Sequence, residues 1–108
     1  MTPTWASARG SKLGIEGLVH QLATEFDPGG IRVDGLSSGS IDVGREPTDE
    51  WTRVERDVID ATSLGRLGRV DEVADACCYF ASDRASFVTG QVLHINGGTY
   101  PMPTLVSR

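Results

Sequence analysis

Helices alternating with short apolar strands predict an α/β chain built on a parallel sheet. Ile15, Leu18, Val19, Leu22 and Phe26 recur at the spacing of one helix face, and so do Val70, Val73, Ala74, Cys77, Cys78 and Ala81. The runs Ile31 to Leu36 and Val88 to Ile95 are short and partly β-branched, as strands are. Each of these predicted strands follows a predicted helix.

The first helix is predicted from Ser11 to Phe26. Asp27-Pro28-Gly29-Gly30 stops it, because proline cannot continue a helix and glycine accepts the turn. The strand at 31–36 comes next and gives way to a loop at Ser37-Ser38-Gly39-Ser40. Trp51, Val54 and Val58 make a weaker helical stripe after Pro47-Thr48. Thr48 is the predicted cap, and Asp49 and Glu50 suit the positive end of that helix. Leu64-Gly65-Arg66-Leu67-Gly68-Arg69 interrupts the pattern, but two copies of three residues define no repeat architecture. The cleanest helix follows from Val70, with Asp71 and Glu72 in its first turn. Gly97-Gly98 ends the strand at 88–95, and the tail from Thr99, with its prolines, is expected to be irregular. A parallel pair needs cover on both faces, so two strands are too few and the strand at 31–36 is left with an open edge.

The length of 108 residues allows one small domain. Hydrophobic residues at 39% and charged ones at 23% are a globular balance. Net charge is −5, from 15 acidic and 10 basic side chains, so nucleic acid is not an expected partner. No run of about 18 apolar residues predicts a membrane span. Residues 1–6 have neither the basic start nor the apolar stretch of a signal peptide. Cys77 and Cys78 are adjacent on a predicted helix and point about 100° apart, so no disulfide is expected. With no second pair or nearby histidine they suggest no metal site either. They read as small fillers on a buried face in a reduced, cytoplasmic setting.

Three stretches together resemble the short-chain dehydrogenase/reductase family. Ser11-Lys12, Gly17-Leu18, Leu22-Ala23-Thr24-Glu25 and Gly30-Ile31-Arg32-Val33 look like that family's catalytic helix and the strand after it. Leu64-Gly65-Arg66 with Glu72-Val73-Ala74 is similar to its L-G-R…E-V-A segment. Phe80-Ala81-Ser82-Asp83, Ser86 to Gln91 and Gly97-Gly98 resemble its ending. Their order and separations make the match specific over residues 8 to 98. The resemblance implies the C-terminal part of a Rossmann-like, doubly wound parallel sheet, with about two strands and three helices. Residues 1–108 then form a partial domain holding the catalytic helix, the last two strands and the substrate lid. The Gly-rich turn that holds the dinucleotide pyrophosphate has no counterpart in this sequence, and the dinucleotide-binding half is expected to be absent.

The family joins NAD or NADP to alcohol–carbonyl interconversion. Its proton donor is a tyrosine four residues before a lysine, on one helix face, where the ammonium lowers the phenol's pKa. By resemblance Lys12 is that lysine, which binds the nicotinamide ribose. The residue four before it is Ala8, which carries no proton. Trp5 offers no acid, and Tyr79 and Tyr100 stand in other segments. The loop at 37–43 is similar to the segment that meets the nicotinamide carboxamide: Gly39 and Ile41 match, whereas Ser38 and Val43 replace a proline and a threonine. Asp34 stands where asparagine is commoner. Residues 44–62 correspond to the lid, where Trp51 either covers a substrate or packs its helix. Phe87, Val88 and Leu93 are assigned to the last strand and a subunit contact.

These residues imply an oxidoreductase segment that is inactive on its own and binds NAD or NADP poorly, if at all, without help. A non-catalytic subunit that docks on a complete family member is the alternative. Either way, a homo-oligomer or a complex with a family-type chain is the expected assembly, and a small molecule is the expected substrate.

Overall fold

The computed structural model describes residues 5–99, with side chains from Leu13 onward. The described residues contain three α-helices: α1 (Trp5–Phe26), α2 (Asp49–Ala61) and α3 (Val70–Ala81). Four strands accompany them: β1 (Gly35–Ser38), β2 (Ile41–Asp42), β3 (Gly68–Arg69) and β4 (Val92–Ile95). They form two separate pairs, β1 with β4 and β2 with β3. The β2–β3 pair is parallel, with Ile41 opposite Gly68 and Asp42 opposite Arg69. In the other pair, Gly35 N–H donates to the Gln91 carbonyl at 2.8 Å and Gly39 N–H to that of Ile95 at 2.8 Å. The bonds advance together along both strands, so this pair is parallel too.

Two compact units divide the chain. The first comprises Met1–Gly35 and Tyr79–Leu93. Val19, Ala23 and Ala85 are the buried apolar residues among those described, and all three lie here. Gly90 turns the chain with φ 72°, and a Cβ there would sit 3.4 Å from that of Ala23. Only a residue that tolerates positive φ lets the backbone pass this close to α1. Asp27–Gly29 forms a 3₁₀ turn after α1, and Gly30, at φ 74°, closes it through its N–H to the Asp27 carbonyl. Proline in the first turn makes the stop that the sequence predicts.

The second unit comprises Leu36–Cys78 and His94–Arg108. Thr48 caps α2 by accepting the Trp51 N–H at 3.1 Å, and Asp49 and Glu50 occupy the first turn. At the start of α3 the Glu72 carboxylate reaches back to the Arg69 N–H at 2.9 Å. That is one half of a capping box.

Several expectations need correction. α1 begins at Trp5, a turn and a half ahead of Ser11. Residues 31–34 precede β1, and side chains share their pairing with 89–91: the Val33 carbonyl accepts the Gly90 N–H at 2.7 Å, but Val33 N–H donates to the Thr89 hydroxyl at 3.1 Å and Gln91 N–H to Asp34 at 3.0 Å. Ser37 and Ser38, expected in a loop, belong to β1 instead. The last strand starts at Val92, not Val88, because Asp83–Ala85 forms a 3₁₀ turn and Gly90 bends the chain. Phe87 and Val88 therefore stand outside it, with Phe87 fully exposed. Among the described residues four strands replace the expected two, since Gly68-Arg69 finds a partner in Ile41-Asp42.

Cys77 and Cys78 are free thiols, and they are exposed where a buried face was expected. The predicted stripe of α1 fares similarly: Val19 is buried while Ile15, Leu18 and Phe26 remain exposed. A helical stripe states which face is apolar and not what covers it.

Among the described residues no helix is long and apolar enough to cross a membrane. No group of three or more His, Cys, Asp or Glu residues among them is placed to hold a metal ion. The tail from residue 100, Tyr100 included, lies outside the described residues.

Candidate functional site

The second unit contains a cleft of about 290 Å³ between the 39–47 segment and α2. Its floor is β2, held by two backbone features. Gly68 N–H donates to the Ser40 carbonyl at 3.0 Å, which registers β3 beside Ile41. Gly39 lies so close to Asn96 that a Cβ would fall 2.8 Å from the Asn96 Cα. A side chain at 39 would push the loop away from that neighbour. Gly39 and Ile41 thus line one cleft together, and both are half-buried.

Past β2 the chain turns at Asp42, whose carboxylate accepts the Gly44 N–H at 3.0 Å. This brings Arg45 to the mouth, where its guanidinium carbon lies 4.1 Å from the centre of the Trp51 ring. Such a cation–π contact is worth about 0.5–1 kcal/mol at an exposed site. Trp51, Val54 and Val58 of α2 all line the cleft, so the weaker stripe of the sequence is its apolar wall. Val58 is half-buried, whereas Trp51 and Val54 are 43% and 44% exposed. Trp51 therefore faces the cleft instead of filling a core.

Sequence reasoning missed Arg45. The signal was its spacing: six residues before Trp51, across a proline and a helix cap, it can fold back onto the ring.

Lys12 and Ala8 lie on α1 in the first unit, and their side chains are outside the described part of the structure. Asp34, by contrast, has a structural occupation. Its side chain is 5% exposed, accepts the Gln91 N–H and lies 3.8 Å from Arg32. Arg32 reaches further, donating to the carbonyls of Phe80 at 2.9 Å, Ser82 at 3.1 Å and Val88 at 3.3 Å. One planar guanidinium thereby satisfies carbonyls around the end of α3, where cations are favoured.

Glu72 is the other strong electrostatic centre. Arg66 grips its carboxylate with bonds of 2.8 and 3.0 Å, and the Arg69 N–H adds a third. These bonds to the ionised form, Arg66 first, hold the carboxyl well below 4.5, at about 2. The group anchors the start of α3 and does not line the cleft.

Residues 1–100 match a family model described as Enoyl-(Acyl carrier protein) reductase. The chain is 41% identical over 81 residues to the uncharacterized oxidoreductase YmfI of Bacillus subtilis, covering 74% of this chain and 33% of that protein. It is also similar to the crystal structure of the 3-oxoacyl-[acyl-carrier protein] reductase from Brucella melitensis, at 35% identity and a TM-score of 0.74. That match covers 84% of this chain and 34% of the other. A 4-hydroxyisoleucine dehydrogenase complexed with NADH matches at 33% identity and a TM-score of 0.71, covering 82% of this chain and 37% of that one. The chain spans between a third and two fifths of the length of the curated relatives it matches. Its helices and parallel strand pairs are part of a Rossmann-like α/β fold. The chain belongs to the short-chain dehydrogenase/reductase family.

Proposed function

We propose that this chain supplies the nicotinamide- and substrate-facing part of an NAD(P)-dependent oxidoreductase that interconverts alcohol and carbonyl groups, and that it does not turn over substrate alone. One observation carries the reading: the loop with Gly39 and Ile41 and the lid helix with Trp51 enclose the same cleft. A volume of about 290 Å³ suits a nicotinamide ring with a small substrate, and is too small for a whole dinucleotide. Ile41, Val43 and Leu67 offer the ring an apolar lining, and the backbone at Gly39 and Ser40 is the polar edge nearest them. Among the described residues Arg45 is the one basic side chain lining it, which is poor provision for a pyrophosphate. The residues thus fit the nicotinamide end of the cofactor, which would supply or accept the hydride.

Lys12 is assigned to the nicotinamide ribose on the family resemblance. Ala8, at the family's tyrosine position, offers no phenol to protonate the substrate oxygen, a loss of about 10²–10⁴ in rate. The test is saturation-transfer NMR with reduced nicotinamide mononucleotide, which lacks the adenosine half. Transfer to the nicotinamide ring that weakens severalfold in Ile41→Ala is the expected result. No transfer at millimolar ligand, or turnover of a carbonyl substrate with NADH or NADPH by the chain alone, would overturn the proposal.

Phe87 favours a second reading. A fully exposed phenylalanine is a ready contact for another subunit. On that reading the chain assembles with itself or with a complete family member. Co-elution with such a member, abolished by Phe87→Ser, supports it; separate elution at micromolar concentrations rejects it.

A further inference from the structure

We propose that Arg45, pinned on Trp51, is a specificity residue that receives the carboxylate of a small oxo or hydroxy acid in the cleft. The inference rests on the proposed oxidoreductase reading and names its substrate class. Arg45 and Trp51 both line the cleft, with the guanidinium carbon 4.1 Å from the ring centre. At this separation the cation rests against the ring face, where the indole quadrupole attracts it.

The N–H donors of a guanidinium lie in its own plane, so a cation–π contact does not consume them. Among the described residues, no carboxylate or carbonyl takes them by a hydrogen bond or ion pair. Arg32, Arg66 and Arg69, by contrast, are engaged: Arg32 by three carbonyls, Arg66 by Glu72 and Arg69 by Asp71. Arg45 therefore presents a fork of donors whose position the indole has already restricted. Carboxylates match that fork through two parallel bonds, and restricting the side chain beforehand lowers the entropy lost on binding.

The rest of the lining narrows the charge of the ligand. Asp42, Glu46 and Glu55 also face the cleft, three carboxylates against one guanidinium. One of them, Asp42, is turned to the Gly44 N–H, and none lies within 4 Å of Arg45 as an ion pair. That lining is already net negative, so a monoanion paired with Arg45 meets the least repulsion an anion can meet there. A phosphate dianion or a pyrophosphate adds a second negative charge that nothing neutralises. The apolar side of the cleft, Val54 and Val58, suits a short aliphatic chain beyond the carboxylate. The same chemistry distinguishes an acid from its ester, since only the ionised group gains charge-assisted bonds.

The experiment uses the full chain labelled with ¹⁵N, followed by NMR. Acetoacetate is the probe, methyl acetoacetate its neutral counterpart and inorganic phosphate the dianion control. The expected result is saturable movement of the Arg45 Nε–H and Trp51 indole N–H signals by acetoacetate. The ester and phosphate should bind at least tenfold more weakly. Arg45→Gln should lose about tenfold or more for acetoacetate while leaving the ester unchanged, and Arg45→Lys should recover part of the loss. Unchanged amide spectra elsewhere verify that each variant is folded.

Equal binding of acid and ester, stronger binding of phosphate, or acetoacetate shifts that survive Arg45→Gln would each overturn the proposal. Reduced nicotinamide mononucleotide is read at Ile41 in the same samples. Loss of its signal with acetoacetate binding intact rejects the oxidoreductase reading, whereas the reverse pattern rejects the role of Arg45.

Discussion

Arg32 does the most work per side chain in this molecule, since one guanidinium meets three carbonyls and lies 3.8 Å from Asp34. Arg32→Ala would leave carbonyls around the end of α3 without a charged donor. A loss of about 2–3 kcal/mol follows, because bonds to charged groups are worth about 1.5–3 kcal/mol each and do not add fully. Urea unfolding of the variant measures it. Lysine cannot reproduce the planar fork, so Arg32→Lys should recover only part of that stability.

Glu72 makes a pH prediction with a definite sign. Its folded pKa, about 2, lies below 4.5, so its contribution is fully present above pH 4.5 and is lost as pH falls toward 2. The stability gap between the natural chain and Glu72→Gln should therefore close across that window and stay constant above it. Denaturant midpoints at pH 2, 3, 4 and 6 give the comparison.

At the level of elements, the sequence was most legible where a signal is local. The Val70–Ala81 helix agrees with its stripe and its acidic first turn, and α2 begins at the cap that Thr48 announces. Thr48→Ala should cost about 1 kcal/mol, seen as a lower thermal midpoint together with loosened α2 amide protection. Strand limits were less legible, because they depend on remote groups. Val33 gives its N–H to Thr89 and Gln91 gives its own to Asp34, and no local pattern announces such bonds. Gly68-Arg69 reads as an interruption until Ile41-Asp42 lies beside it. The cleft was partly legible: Gly39, Ile41 and Trp51 stood out by motif, while Arg45 acquires meaning only when folded onto Trp51. Gly39→Ala tests the close approach to Asn96. With 2.8 Å to backbone the loop must shift, at a cost of about 1–3 kcal/mol, and the crosspeaks of residues 95–97 should move.

For the whole molecule the deciding quantity is how little apolar surface is covered. Leu13, Ile15, Leu18, Phe26, Ile31 and Phe87 are exposed, and each lies in the first unit. The described sheets are pairs, so each strand has an unpaired edge among the described residues. Self-association follows as an expectation, with sedimentation velocity as its check: species heavier than 11.6 kDa should grow with concentration. A monodisperse monomer over the micromolar range would count against it. Burial was the least legible property, because an apolar stripe predicts that something covers it and carries no information about which chain does.

Both units are assembled from two stretches of chain, Met1–Gly35 with Tyr79–Leu93 in one case and Leu36–Cys78 with His94–Arg108 in the other. During synthesis, then, neither can close early. The Arg32 guanidinium must wait for partners 48 to 56 residues downstream, and the Ile95 carbonyl that receives the Gly39 N–H is made later still. Until residues 79–93 leave the ribosome, the Ala23 side of α1 lacks the Gly90 backbone that passes beside it, and apolar surface exposed in that interval is prone to aggregate.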